Sequence, residues 1–176
     1  MKKEEINQLV KILFFNAKKE SYKSKEIILR EGEKSNKFYF IEKGILRGWT
    51  NKDGKEITFQ FMFENNLFCS SESFFLDSPS SYNIETINNC TLFSVEKKEI
   101  YKILEDEKFL RLFNKYIINR LANYQQLLIA RIKDKPEERY KNLLKEHPEI
   151  ILNIPQHYIA SYLGVTSVSL SRIRNR

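Results

Sequence analysis

Apolar residues recur with two different spacings along the first hundred residues of the chain. Ile6, Leu9 and Leu13 repeat at intervals of three and four, which predicts a helix over residues 1–20. Over residues 21–94, short runs rich in Ile, Phe, Tyr and Thr alternate with turn residues, and Asp53-Gly54 is a typical hairpin turn. Several short strands at nearly regular spacing predict an antiparallel β-roll or sandwich for this part.

A helical spacing returns after residue 97. Residues 97–105 form a short predicted helix, and residues 107–133 form a long one without Gly or Pro, which Pro136 ends before a short helix over residues 136–146. A long apolar stripe commonly packs against a copy of itself, the alternative being that it packs within its own chain. We assign these stripe residues to a dimer interface: Phe113, Ile117, Leu121, Tyr124 and Leu128.

The last 22 residues meet the requirements of two short helices that cross at a steep angle. Ala160 provides a small side chain at the crossing, and Gly164, four residues later, accepts the left-handed backbone of the turn. Thr166 can cap the second helix through its hydroxyl. Apolar residues for a shared core stand at Ile159, Leu163, Val165, Leu170 and Ile173. The pattern favours a helix-turn-helix over a plain helical hairpin.

The second helix of such a motif enters the major groove of DNA. Arg172 is placed to read guanine through two parallel hydrogen bonds, whereas Arg174 and Arg176 are better suited to phosphates. The alternative for these arginines is a solvated terminus. The residues that we assign to DNA binding are Thr166, Ser167, Val168, Ser169, Arg172, Arg174 and Arg176.

The charge of the chain is concentrated in its last third. Residues 1–110 contain 18 basic and 18 acidic residues, whereas residues 111–176 contain 12 basic and 5 acidic ones. The net charge of +7 therefore belongs to the second part. This asymmetry indicates contact with a polyanion, the equally open alternative being a solvated basic surface.

Composition excludes several classes of protein. No run of about 18 apolar residues and no signal peptide occurs, so we expect a cytoplasmic protein without a membrane partner. Cys69 and Cys90 are too few and too far apart for an iron–sulfur or zinc site, and we expect free thiols. A metal-dependent enzyme of the β-roll type needs several ligands inside the roll, and residues 21–95 contain no His. We therefore predict no metal and no catalytic activity.

The chain resembles the CRP/FNR family of bacterial regulators, in a short form found in Bacteroidetes-like lineages. The resemblance rests on residues 30–44, 72–81 and 159–174. It implies an α+β fold with a jelly-roll sensor domain, an antiparallel double-stranded β-helix, over residues 1–106. A dimerisation helix over 107–134 and a helix-turn-helix domain over 135–176 would follow. It further implies a homodimer that reads a palindromic operator in double-stranded DNA, with RNA polymerase as a further partner.

The phosphate-binding cassette of the cyclic-nucleotide members is incomplete here. Their pattern is Phe-x-Gly-Glu-x-x-Leu, followed by Arg-Ser/Thr-Ala. Glu72 matches the ribose-binding Glu, but Ser71 replaces the Gly, and Ser80 or Ser81 stands where the Arg should be. A phosphate without a nearby cation is poorly held, so we expect weak or absent cAMP binding and no cofactor.

The same region can instead hold an unidentified small effector or be a filled, vestigial pocket. The residues that we assign to an effector pocket are Glu72, Ser73, Ser80, Ser81 and Tyr82. Haem sensing is not expected, because His147 and His157 both lie beyond the roll.

A second departure concerns the wing that usually accompanies the helix-turn-helix. Only residues 149–154, predicted as a brief extended run, are available for it, and the sequence stops directly after the recognition helix. Fewer phosphate contacts are therefore expected. The predicted function is a sequence-specific DNA-binding transcription regulator with an unidentified effector or none. The alternative is a ligand-binding or protein-interaction module of the same fold that has lost DNA binding.

Overall fold

A computed structural model describes residues 2–175 of the chain. This part consists of helices at both ends and strands between them. The N-terminal half contains α1 (Lys3–Leu13), β1 (Lys18–Tyr22), β2 (Ile27–Leu29), β3 (Lys37–Lys43), β4 (Leu46–Lys52), β5 (Lys55–Met62), β6 (Leu67–Phe68), α2 (Ser71–Leu76), β7 (Asn83–Thr86) and β8 (Cys90–Glu96). The C-terminal half contains α3 (Lys97–Ile103), α4 (Glu107–Lys133), α5 (Pro136–Glu146), α6 (Ile150–Asn153), α7 (Gln156–Leu163) and α8 (Ser167–Arg174).

The strands form two antiparallel four-stranded sheets that face each other. One sheet has the order β1-β8-β3-β6 and the other β2-β7-β4-β5. The core between them takes residues from both sheets, including Ile41, Leu92, Leu46 and Ile84. Asp53 and Gly54 have φ values of 53° and 78° in the turn between β4 and β5, as a tight hairpin requires. The predicted α+β fold with an antiparallel roll is confirmed.

The predicted helix over residues 1–20 is wrong beyond its first turns. α1 ends at Leu13, and Lys18 begins β1, which pairs antiparallel with β8. The apolar spacing of α1 is real, because Leu9 and Leu13 are fully buried. Residues 18–22 carry little apolar signal, and the ladder of hydrogen bonds to β8 decides their conformation. Such tertiary contacts routinely override local propensity.

The long helix α4 begins at a clear cap. The Asp106 side chain accepts a hydrogen bond from the Lys108 amide at 2.9 Å, and the helix ends at Lys133, before Pro136. The first part of α4 packs into its own chain. Phe113 is 3% exposed, and its ring centre lies 5.8 Å from that of Phe38. Phe113 is therefore a core residue, and its assignment to a dimer interface is wrong.

Residues 149–154 form a helical turn rather than the predicted extended run. Ile150 is the first residue of α6, and both Ile150 and Ile154 are buried. In a strand Leu152 would lie on the same face as Ile150 and Ile154, but it is 88% exposed, as a helical turn allows. No strand follows β8 in residues 2–175, so this part of the chain contains no β-wing.

The C-terminal helices share one hydrophobic core with the roll. Roll residues Ile45, Phe61 and Ile87 belong to the same buried cluster as Tyr158 and Leu170 from α7 and α8. Two hydrogen bonds add to this interface, because the Ser161 hydroxyl accepts from the Thr58 amide at 2.9 Å and donates to the Glu56 carbonyl at 3.0 Å. The helix-turn-helix is therefore fixed against strand β5.

Candidate nucleic-acid interface and roll pocket

The turn between α7 and α8 has the geometry that a helix-turn-helix needs. Gly164 ends α7 at a φ of 69°, a left-handed conformation that glycine adopts without strain. The amide of Val165 donates to the carbonyl of Ala160 at 3.0 Å and closes the turn. Ala160 is 2% exposed, as expected of a small residue between closely packed elements. The predicted roles of Ala160 and Gly164 in this motif are confirmed.

Helix α8 begins at Thr166. The Thr166 hydroxyl accepts a hydrogen bond from the Ser169 amide at 3.1 Å, which confirms the predicted cap. Leu170 is fully buried and holds the helix on the core, with Ile173 packed against the same cluster. One face of this short helix is anchored, and the opposite face is left to solvent.

The solvent face of α8 carries most of the residues assigned to DNA binding. Thr166, Ser167, Arg172 and Arg174 are exposed, and Ser169 is half-buried. Val168 is 62% exposed, which is unusual for an apolar residue at a helix start. Arg176 lies outside the described residues. A helix that presents hydroxyl groups, an apolar side chain and guanidinium groups along one face has the chemistry for contacts with base edges and phosphates.

A second exposed face runs along α4. Its apolar side chains Ile118, Leu121, Leu128 and Ile132 follow a spacing of three and four once Gln125 is included. Leu121 is 67% exposed and Leu128 is 59% exposed. This spacing is typical of the seam of a two-helix coiled coil. Ile118 and Ile132 were not assigned from the sequence, although the spacing that identifies them was present.

Ile117 and Tyr124 face inward rather than along this seam. Ile117 packs against the cluster that contains Phe113. The Tyr124 hydroxyl donates to the Gln60 side chain at 3.0 Å and accepts from Arg120 at 2.6 Å. Helix α4 thus has two apolar stripes, one for its own chain and one exposed. The sequence prediction merged them, and the assignment of Ile117 and Tyr124 to the interface is not supported by these contacts.

The residues assigned to an effector pocket come together between α2 and the start of β7. The Glu72 carboxylate accepts from the Ser81 amide at 2.7 Å and from the Ser81 hydroxyl at 3.0 Å. Ser73 donates to the Ser78 carbonyl at 3.0 Å, and buried Ser80 donates to the Tyr82 carbonyl at 2.8 Å. These polar groups satisfy one another within the chain.

Aromatic side chains occupy the space next to this cluster. The Phe59 ring meets the Tyr82 ring edge to face, with centres 5.1 Å apart. A methyl group on Gly48 would lie 2.7 Å from Cζ of Phe59, so the absence of a side chain at Gly48 makes room for this ring. Sequence reasoning missed both residues, because the contact joins two strands and leaves no local pattern.

The buried cation of the roll is already paired. Arg47 on β4 is 1% exposed, and its guanidinium donates to the carboxylates of Glu85 and Glu56. On the other side it lies 3.7 Å from the centre of the Tyr158 ring in α7. Its charge is balanced by these carboxylates, so it is not a substitute for the missing arginine of the cassette.

The chain is similar to known proteins in sequence and in fold. Residues 19–107 match the family described as Cyclic nucleotide-binding domain. The chain belongs to this family. No curated protein is significantly similar to the chain in sequence.

Solved structures extend the likeness beyond the roll of this cyclic nucleotide-binding domain protein. FixK2 from Bradyrhizobium japonicum superimposes with a TM-score of 0.78 at 21% identity, over 90% of this chain and 83% of its own. CooA from Carboxydothermus hydrogenoformans gives 0.70 at 16% identity, over 95% and 82%. The Catabolite Activator Protein of Thermus thermophilus gives 0.56 at 17% identity, over 99% and 83%. The predicted resemblance to CRP/FNR regulators is confirmed at the level of the fold.

The two cysteine thiols of this family member are weaker acids than a free cysteine. Burial raises the pKa of the Cys69 thiol to about 12 and that of the Cys90 thiol to about 11. Both cysteines are free and will be protonated at neutral pH.

Within residues 2–175, no group of three or more His, Cys, Asp or Glu side chains could hold a metal ion. Over the same range, no helix has the length and apolar character needed to cross a bilayer.

Proposed function

We propose that the chain is a sequence-specific DNA-binding transcription regulator of the CRP/FNR type that acts as a homodimer. The observation that carries this proposal is the solvent face of α8. Leu170 holds the helix on the core while Ser167, Val168 and Arg172 point away from it. Hydroxyl, apolar and guanidinium side chains on the free face of the second helix of a helix-turn-helix are placed to enter a major groove.

The exposed seam of α4 supports the dimer. Leu121 and Leu128 lie in a row of apolar side chains with coiled-coil spacing, and water contacts most of their surface in one chain. Pairing two copies along this row would remove that apolar surface from water. It would also relate the two α8 helices by a two-fold axis, which is the symmetry of a palindromic operator.

The contacts around Glu72 support a site that does not bind cAMP strongly. Its carboxylate is held by Ser81, and Phe59 fills the neighbouring space against Gly48. A ribose and a charged phosphate would have to displace both without gaining a cation at Ser80 or Ser81. The proposed regulator therefore responds to another effector or to none.

Selection of bound sequences from random double-stranded DNA tests the proposal. The expected product is a two-fold symmetric motif whose half-sites are about one helical turn apart. Running the selection with and without a small-molecule extract of cells shows whether an effector is required. No enriched sequence in either condition would favour the alternative, a module of this fold without DNA binding.

The dependence of affinity on salt tests the same proposal independently. If each protomer neutralises at least one phosphate, the slope of log affinity against log salt is about −2 or steeper. Arg111→Ala is a matched control, because this exposed arginine on α4 pairs with Glu107 far from α8. It should leave the slope unchanged. A flat salt dependence of the unaltered protein would contradict the proposal.

A further inference from the structure

A groove of about 780 Å³ lies between strand β5 and the helices α4, α5 and α7. It is separate from the roll pocket, since none of Glu72, Ser73, Ser80, Ser81 and Tyr82 is among its lining residues. Its volume is within the range of sites that hold metabolites and other small ligands. The groove also touches β5, α5 and α7, which take part in the packing of the helix-turn-helix on the roll.

Three arginines line this groove, and their partners are neutral oxygens. Arg120 donates to the Leu67 carbonyl at 2.6 Å and to tyrosine hydroxyls. Arg131 donates to the Phe59 carbonyl at 2.7 Å, and Arg139 donates to the Leu163 carbonyl at 2.6 Å. Three positive charges held by dipoles rather than carboxylates give the groove a strongly positive potential.

Arg131 has the greatest capacity for a further partner. Its contact with Phe59 uses one of five N–H groups, and its guanidinium also lies 5.0 Å from the centre of the Tyr162 ring. It is exposed at the mouth of the groove. A planar guanidinium with several donors left over binds carboxylate, sulfonate or phosphate groups in a bidentate manner.

The rest of the lining is aromatic and apolar. The Phe61 and Tyr162 rings are 5.0 Å apart, and the Phe63 ring stacks on His147 at 3.7 Å. Asn123, Gln126 and Asn142 supply amides at the edge, and Glu146 is the one acidic side chain among the lining residues described. Aromatic faces next to guanidinium groups suit a ligand that has both an anionic head and a flat or aliphatic body.

We infer that this groove binds a small organic anion with an aromatic or aliphatic body. The head group lies against Arg131 and its neighbouring arginines, and the body lies against Phe61, Phe63 and Tyr162. Such a ligand would touch β5, α4 and α5 together and so would hold the roll and the C-terminal helices in one relative position. Binding itself does not depend on the proposed function, and it is measured without DNA.

The fluorescent probe 8-anilinonaphthalene-1-sulfonate tests the inference on the full chain, because it combines a sulfonate with an aromatic body. Saturable binding of one probe per chain is expected, with a rise in the melting temperature as the probe concentration increases. The uncharged analogue N-phenyl-1-naphthylamine should bind about tenfold more weakly or worse, because it lacks the anionic group. Equal binding of the two probes would overturn the inference.

Two pairs of variants locate the site. Arg131→Gln removes a groove charge and Asn142→Trp fills the groove, and each should weaken probe binding about tenfold or more. The matched controls are Arg111→Gln on the same helix as Arg131 and Lys141→Trp next to Asn142, neither of which lines the groove. Both controls should bind like the unaltered protein. If Arg131→Gln does not fold, Asn142→Trp still decides the question.

Competition identifies the preferred head group. Displacement of the probe by benzoate indicates a carboxylate ligand, and displacement by phenyl phosphate indicates a phosphate ester. Displacement by neither compound would contradict the inference, as would unchanged probe binding in both groove variants. Because no DNA is present, either failure leaves the proposed regulator function untouched.

Discussion

Arg47 connects the roll to the helix-turn-helix through a single buried side chain. Its guanidinium is shared by Glu85 and Glu56 of the roll and by the Tyr158 ring of α7. A buried ion pair adds little stability compared with a well-packed apolar group. Removing one partner, however, leaves an uncompensated charge in the interior. The stability of the roll therefore depends on whether the charge of Arg47 is balanced by Glu85 and Glu56.

Replacing Arg47 by Met should lower the free energy of unfolding by about 3–5 kcal/mol, because Glu85 loses its cation inside the protein. Urea titration followed by tryptophan fluorescence measures this change. Lys19→Met is the control, since Lys19 pairs with Glu42 at the surface and should contribute less than about 1 kcal/mol. A loss of less than about 1 kcal/mol for Arg47→Met would show that the network is not a stabilising unit.

Arg172 is the α8 residue to which the proposed function assigns the specific contact with a base. Arg172→Ala should cost about 1–3 kcal/mol at one base-pair position and relax specificity there, whereas Arg174→Ala should weaken binding evenly across sequences. Competition gel shifts with single-base variants of the selected operator measure both effects. If Arg172→Ala leaves specificity unchanged, the assignment of base contact to this side chain is wrong.

The sequence could predict those residues whose role depends only on neighbours within the same turn. Gly164, Thr166 and Asp53-Gly54 each act through the backbone of their own turn, and the structure confirms all of them. The position of the Phe59 ring beside the roll pocket could not be predicted, because it depends on Gly48 of another strand. Contacts between distant parts of a chain leave no periodic signal in either part.

Helix α4 has two apolar faces with different surroundings. Its N-terminal part buries Phe113 and Tyr116 in the chain, while its outer stripe exposes apolar residues to solvent. The sequence predicted the helix over residues 107–133 correctly, and Pro136 marked its end. It could not separate the stripes, since helical periodicity shows which residues share a face but not what covers that face.

Leu128→Glu should convert the proposed dimer into a monomer, because it places a charge in the apolar seam of both copies. Sedimentation velocity at micromolar concentration measures the mass. Leu152→Glu is the control, since Leu152 is 88% exposed on α6 and lies outside the seam. Both variants should keep their circular dichroism spectra. A dimer that survives Leu128→Glu would show that α4 does not form the interface.

The errors at residues 14–20 and 149–154 have a common physical cause. Both segments are short, and neither has enough turns or alternations for a periodic pattern to be decisive. In the structure, β1 is fixed by its ladder to β8, and α6 by the burial of Ile150 and Ile154. The surrounding fold therefore selects the local conformation in each case.

Across the molecule, the roll and the C-terminal helices form one packed unit. Phe61 and Phe63 of β5 share a buried cluster with Tyr140, Ile159 and other residues of the C-terminal helices. The predicted division into residues 1–106, 107–134 and 135–176 describes the order of parts along the chain. That order was readable from the sequence, whereas the cluster joining the parts was not.

Unfolding should therefore follow a single transition at low protein concentration. Trp49 lies on β4 close to Arg47 and reports on the roll, while ellipticity at 222 nm reports mainly on the helices. Coincident urea curves from the two signals are expected, because the cluster that contains Phe61 of β5 and Leu163 of α7 is complete only when both parts are folded. Separate midpoints would show that the roll and the C-terminal helices unfold independently.

The packing of α7 on β5 has a practical consequence for anyone who wishes to study the C-terminal helices by themselves. A fragment limited to residues 135–175 would carry Tyr158 and Leu163 without the aromatic surface of β5 that shields them. Such a peptide would expose an apolar patch to water and would aggregate rather than fold as a minimal domain. The smallest unit that keeps this apolar surface covered is then the roll together with its helices.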